Sequence, residues 1–156
     1  MSSGLRYQAV IDGVSISAIC DIFYLKPPAD AAIVIHEVFI GQETIETSEQ
    51  LPLQIFRTAT DNAANGTANT PAPLHVGFPA AGSTVRTNIT GASLATVTTN
   101  LGAMSSNVLS GWHYLPTPED RVVVSPGGNG FVVKLKTAPA AALTVSGYMI
   151  FEEIGG

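Results

Sequence analysis

Cysteine occurs once in this chain of 156 residues, at Cys20, which excludes an internal disulfide and a Cys-x-x-Cys metal site. Basic residues are nearly as scarce. Seven are scattered along the chain (Arg6, Lys26, Arg57, Arg86, Arg121, Lys134 and Lys136) against twelve Asp and Glu, for a net charge of −5. With no basic cluster, neither a nucleic-acid footprint nor a polybasic membrane patch is present. Charged residues make up 12% of the chain, about half the usual share near ~25%. The stretches 62–85 and 87–118 contain no Asp, Glu, Lys or Arg at all. Neither is a membrane span, because Thr, Asn, Ser, Gly and Pro interrupt their apolar residues. Also absent are an apolar repeat of period 3.6 over three turns and, in MSSGLRYQAVIDG, the basic-then-apolar pattern of a secretory signal.

What remains is sufficient for a core. The hydrophobic fraction is 46%, and a chain of this size buries roughly 68–70% of its unfolded surface. Low charge with ample apolar content does not fit disorder. It suits one compact domain whose neutral polar surface is partly covered by partners.

Strand patterns dominate. Residues 5–11 and 14–25 flank Asp12-Gly13, a hairpin signal. Residues 32–40 (AIVIHEVFI) are dense in β-branched side chains and read as a central strand. Residues 50–58 alternate, with Pro52 pointing to an edge or a strand start. Residues 59–82 form a long turn-rich segment, which in a compact domain is functional or ordered by a neighbour. Further strands are predicted at 83–90, 94–99 and 106–114. RVVVS (121–125) and FVVKLKT (131–137) around the turn 126–130 predict a second hairpin, and 142–151 a last strand. Eight to ten short strands with Gly and Pro turns predict an all-β fold: an antiparallel β-sandwich of jelly-roll (TNF-like) topology, a single domain over 1–156 with a loop or arm at 59–82.

The search for chemistry is mostly subtractive. His36-Glu37 begins like a zinc-protease helix motif, but position 40 is Ile and the run is a strand. Strand parity predicts opposite faces, His36 with Val34, Val38 and Ile40, and Glu37 with Ile33, Ile35 and Phe39. A cupin-type enzyme needs a His-x-His pair, and the three histidines are His36, His75 and His113. Gly127-Gly128-Asn129-Gly130 is a turn, not a phosphate cradle, since no helix carrying Lys-Ser/Thr follows. Ser110 lacks a nucleophile-elbow context. Glu43, Glu46 and Glu49, and Glu119-Asp120, are turn carboxylates without the spacing of a calcium loop. Trp112-His113-Tyr114 offers either a sugar platform or core packing, and Cys20 is expected to pack as a small apolar residue. No catalytic, cofactor-binding or metal-ligating residue is predicted.

Three segments carry a resemblance: IHEVFIGQE (35–43) with SEQLPLQIFR (48–57), GWHYLPTPEDRVVVSP (111–126) and ALTVSGYMIFEEIG (142–155). Together they resemble a group of small virion proteins of tailed bacteriophages. The resemblance implies a jelly-roll structural protein of the phage particle, a capsid decoration or cement protein on the head surface. Its partners would be the major capsid protein and itself, as a homotrimer, with no nucleic acid, membrane or cofactor. The absence of disulfides fits assembly in the bacterial host cytoplasm. The loops 42–49 and 59–82 and the terminal tails are the expected contact regions. The alternative is a glycan-binding fibre, spike or lectin-like module.

Overall fold

A computed structural model describes residues 4–127 and 130–155. Strands account for 57% of the chain and helix for 4%, in two antiparallel sheets facing each other as a β-sandwich. The strands are β1 (Leu5–Ile16), β2 (Cys20–Lys26), β3 (Ala31–Gln42), β4 (Gln50–Thr58), β5 (Thr67–Asn69), β6 (Ala72–Pro73), β7 (Thr84–Thr90), β8 (Thr99–Asn107), β9 (Trp112–Tyr114), β10 (Val123–Val124), β11 (Gly130–Leu135) and β12 (Leu143–Gly155). The first sheet runs β10-β3-β12-β1-β6, with β9 also on the outer edge of β3; the second runs β5-β7-β2-β11-β4-β8.

Alternating apolar residues drive the closure. Ile33, Ile35, Val38 and Ile40 of β3, with Met149 and Phe151 of β12, face Phe23, Leu25, Ile55, Phe131 and Val133 of the second sheet. Each such side chain contributes about 1.5–3 kcal/mol on leaving water. A smaller cluster of Tyr24, Phe56, Ile89, Ala95 and Val132 is also buried. Strand parity puts Tyr24, Phe56 and Val132 on the outer side of the second sheet, under the segments 58–62 and 93–98. These segments are laced together by side-chain to backbone bonds: Thr58 Oγ1 donates to the Thr96 carbonyl (2.7 Å), and Asn62 Nδ2 to that of Ser93 (2.8 Å).

Both predicted hairpins are corrected. Asp12-Gly13 does not turn the chain: β1 continues through it, paired with β12, and two residues face Ser146 alone, with Gly13 at φ +65°. This is a glycine β-bulge, which uses the same φ > 0 residue as a hairpin turn. Likewise, β10 pairs with β3 in the first sheet while β11 pairs with β2 and β4 in the second, so 121–137 crosses between sheets. Burial on opposite walls of the core outweighs the local turn signal there. Gly128 and Asn129 of that turn lie outside the described residues.

The strand predicted at 94–99 is instead a short 3-10 turn (Gly91–Ser93) and a loop entering β8. Residues 106–114 hold the end of β8, a corner at Gly111 (φ +71°) and the start of the first-sheet strand β9. β4 lies inside its sheet, between β11 and β8. Pro52 is tolerated near its start, where its carbonyl accepts from Lys136 N (2.9 Å) beyond the end of β11. Segment 59–82 contributes β5 to the second sheet and β6 to the first, and so spans their open edge. Beyond β6, Leu74 and Val76 are exposed on a turn at Gly77 (φ +90°).

Candidate functional site

The outer face of the first sheet gathers most of the polar and aromatic residues singled out above. Register sets His113, Phe39, Tyr148 and Val10 in one row across β9, β3, β12 and β1. The Phe39 ring stacks on Tyr148 (5.8 Å between centroids, 25°) and meets His113 edge-on (6.0 Å, 72°). Glu37 reaches over this row. Its Oε1 accepts from the Tyr148 hydroxyl at 2.7 Å and lies 2.7 Å from His113 Nε2. The Tyr148 bond, and secondarily that of His113, hold the Glu37 carboxyl below its usual range, while the same bond pushes the Tyr148 phenol up. The result is a fixed anion beside an aromatic ridge, with Val10 52% exposed at its end.

The parity expected for His36-Glu37 fails. On β12, Ile150 pairs with Glu37 and Phe151 with Ile35, so His36 is one residue too many: a β-bulge. The extra residue returns Val38 and Ile40 to the core and leaves His36 and Glu37 on the same outer face. They nonetheless take different partners. His36 Nε2 lies 2.7 Å from Glu152 Oε2, with both residues more than nine-tenths buried. Burial pulls the His36 pKa down; the Glu152 bond opposes this, and the Arg121 and Arg6 charges add to the fall.

Charged residues inside apolar runs form two further buried knots that the sequence reading missed. Asp21 is fully buried: its Oδ2 accepts from Ala95 N (2.8 Å), while Lys134 Nζ donates to the Ala95 carbonyl (2.8 Å) and stands 3.5 Å from Asp21 Oδ1. The pair thus holds Ala95 of the 93–98 segment by both its N–H and its carbonyl, with Lys134 5.1 Å above the Phe56 ring. Glu153 accepts from Ser83 N (2.7 Å), Ser83 Oγ (2.6 Å) and Gly82 N (3.3 Å), fastening the end of segment 59–82. The signal was available in SISAICDIFYL, FVVKLKT and YMIFEEIG, since a charge in an apolar run is buried only with partners.

The other candidates scatter. His75 is exposed beside Phe78, and the three histidines occupy separate surroundings. Among the described residues no three His, Cys, Asp or Glu side chains stand close enough to hold a metal ion. Trp112 is buried, stacked on Tyr114, with Nε1 donating to Met104 Sδ (2.8 Å), so its face is not offered to a sugar. Glu49 Oε1 accepts from Ala140 N (2.9 Å). Gln42 organises the acidic loop, accepting from Thr44 N and Ile45 N. Cys20 is fully buried, its thiol pushed up to about 12 by desolvation and then by Asp21. Ser110 donates to the Asn107 carbonyl (3.0 Å) within the corner before β9.

The first sheet's outer face thus combines an aromatic row with a carboxylate, Glu37, placed between Tyr148 and His113. No family model, curated protein or solved structure matches the chain.

Proposed function

We propose that this chain is a non-enzymatic structural protein of a bacteriophage particle, a capsid decoration (cement) protein binding across neighbouring major capsid subunits on the head. The observation that carries this reading is the outer face of the first sheet. Four strands present an ordered aromatic and aliphatic row; its neighbouring carboxylates, Glu37 and Glu152, are already paired with His113, Tyr148 and His36, and Arg6 is exposed on the same face. The row itself carries no free charge and is covered at low desolvation cost, as in interface cores, which are rich in aromatics and depleted of charge. The resemblance of segments 35–57, 111–126 and 142–155 to phage virion proteins points the same way. So do the two uncharged stretches 62–85 and 87–118.

Strand order supports a jelly roll. With the insertion β5–β7 set aside and β9 and β10 counted as one strand, the first sheet pairs strands one, eight, three and six. The second pairs two, seven, four and five, as two interleaved Greek keys require. The outer face of the first sheet and the exposed Leu74–Phe78 turn are the surfaces proposed for the shell, and the resemblance further implies a homotrimer.

Mechanistically, a protein that binds only the assembled shell stabilises it by mass action. The test adds purified protein to heads lacking it and follows co-sedimentation and the melting temperature of the shell. Binding and a raised melting temperature are expected, with both weakened by Phe39→Glu. Failure of the unmodified protein to bind overturns the reading.

A further inference from the structure

The two sheets have open edges that are managed very differently. An unpaired strand edge is a template for pairing with another chain, and proteins blunt such edges with short strands, Pro, Lys or bulges. At the edges of the first sheet stand β6, two residues ending in Pro73, and the short β9 and β10. One edge of the second sheet is β5, three residues long. The other is β8, nine residues of sequence TNLGAMSSN with no charge and no proline, regular over 102–107 with a bulge at Leu101.

The phase of β8 follows from its neighbours. Val108 N donates to the Glu49 carbonyl (2.8 Å), continuing the register in which Leu51 faces Ser106 and Leu53 faces Met104. In an antiparallel ladder the hydrogen-bonded positions alternate. Gly102, Met104 and Ser106 therefore bond to β4, and Ala103, Ser105 and Asn107 turn their N–H groups away from it. Ala103 and Ser105 are exposed, and among the described residues no other segment bonds to their backbone.

We infer that β8 is a self-pairing edge, joining two copies of this chain through an antiparallel β8–β8 ladder about a two-fold axis at Met104. A second copy fits because the edge is complementary to itself. With the axis at Met104, Ala103 faces Ser105 of the other copy and Ser105 faces its Ala103, each pair exchanging both backbone bonds. The bulge at Leu101, where β8 leaves the regular register with β4, ends the ladder on that side. A charged strand laid against itself would set like charges opposite each other; residues 87–118 contain none. The contact is isologous, so it closes at two copies. It uses the second sheet and is independent of the proposed shell function.

The test measures mass by light scattering and sedimentation on the full chain and on Ala103→Pro. Proline removes an outward N–H that β4 does not use, a position where edge strands accept it. The variant is expected to keep the wild-type circular dichroism spectrum and to show a lower mass, half that of the wild type where the β8 ladder is the one contact between copies. If Ala103→Pro fails to fold, Ser105→Lys replaces it, placing a like charge across the axis from each copy, and the same fall in mass is expected. Equal masses for wild type and a folded variant overturn the inference. A monomeric wild type also overturns it, in favour of a strand supplied by a different protein. Loss of shell binding with the mass unchanged would count against the edge and not against the shell reading.

Discussion

Replacing Lys134 by Met tests whether the Asp21–Lys134 pair is a structural clamp. The substitution keeps the length of the side chain and removes its charge. Asp21, fully buried, keeps its bond from Ala95 N but loses the cation 3.5 Å away, and the Ala95 carbonyl loses its donor. Breaking a buried pair by removing one partner costs about 3–5 kcal/mol. An upper bound comes from letting Asp21 protonate instead: at pH 7 an ordinary aspartate lies about 3 pH units above its pKa, or roughly 4 kcal/mol. Burial already raises the Asp21 pKa, and the Lys134 charge is among the forces holding it down. The expected loss is therefore about 3 kcal/mol, or roughly 6–12 °C in Tm for a chain of this size.

The pH dependence has a definite sign. A carboxyl with a raised folded pKa penalises the folded state only when ionised. The penalty is absent below the unfolded pKa near 3.8 and complete above the folded one. The gap between wild type and Lys134→Met should thus narrow as pH falls from 7 towards 4, leaving about 1 kcal/mol for the lost bond to Ala95. Urea unfolding followed by circular dichroism at several pH values measures it. Asp21→Leu/Lys134→Met should recover most of the loss, because an apolar pair replaces a buried ionic one at little cost. A loss under about 1 kcal/mol at pH 7, unchanged at pH 4, would refute the reasoning and make the pair equivalent to a surface ion pair.

Gly147→Ala drives a β-carbon into the Phe39 carbonyl and to 3.0 Å from Ile40 Cα in the middle of the β3–β12 ladder. A loss of at least about 1–3 kcal/mol in urea unfolding is expected, and a neutral result would show that the strands separate there. Cys20 should react with a thiol-specific disulfide reagent only as fast as the protein unfolds, since burial keeps its thiol protonated; rapid labelling of the native protein would contradict this. The His36 ring should titrate below 6.5 by NMR. Because its folded pKa is depressed, its contribution is present above pH 6.5 and lost as pH falls through the lower folded value. A midpoint above 6.5 would show instead that Glu152 outweighs burial.

Much of the strand content was legible from local pattern. Period-two alternation in 50–58 and 142–151 and the β-branched run at 32–40 correspond to β4, β12 and β3, because alternation records which side chains leave water. The burial of Cys20 followed from its apolar neighbours. The elements misread were those where one local signal serves two long-range outcomes. Asp12-Gly13 supplies φ > 0 equally to a turn and to a bulge, and only the length of β12 alongside β1 selects the bulge. The strands 121–125 and 131–137 are adjacent in sequence, yet each completes a different wall of the core.

By itself, then, the sequence determined an all-β chain poor in charge and the location of most strands. These follow from residue-by-residue transfer out of water and from backbone preference, both local quantities. Tertiary structure alone decided which strands pair, that one surplus residue at His36 turns it and Glu37 to the same face, and that Asp21 meets Lys134. It also decided that β8 is a long edge strand with no second partner strand among the described residues. Each of these depends on distant segments competing for the same hydrogen bonds and the same core volume, and no local window of sequence contains both competitors.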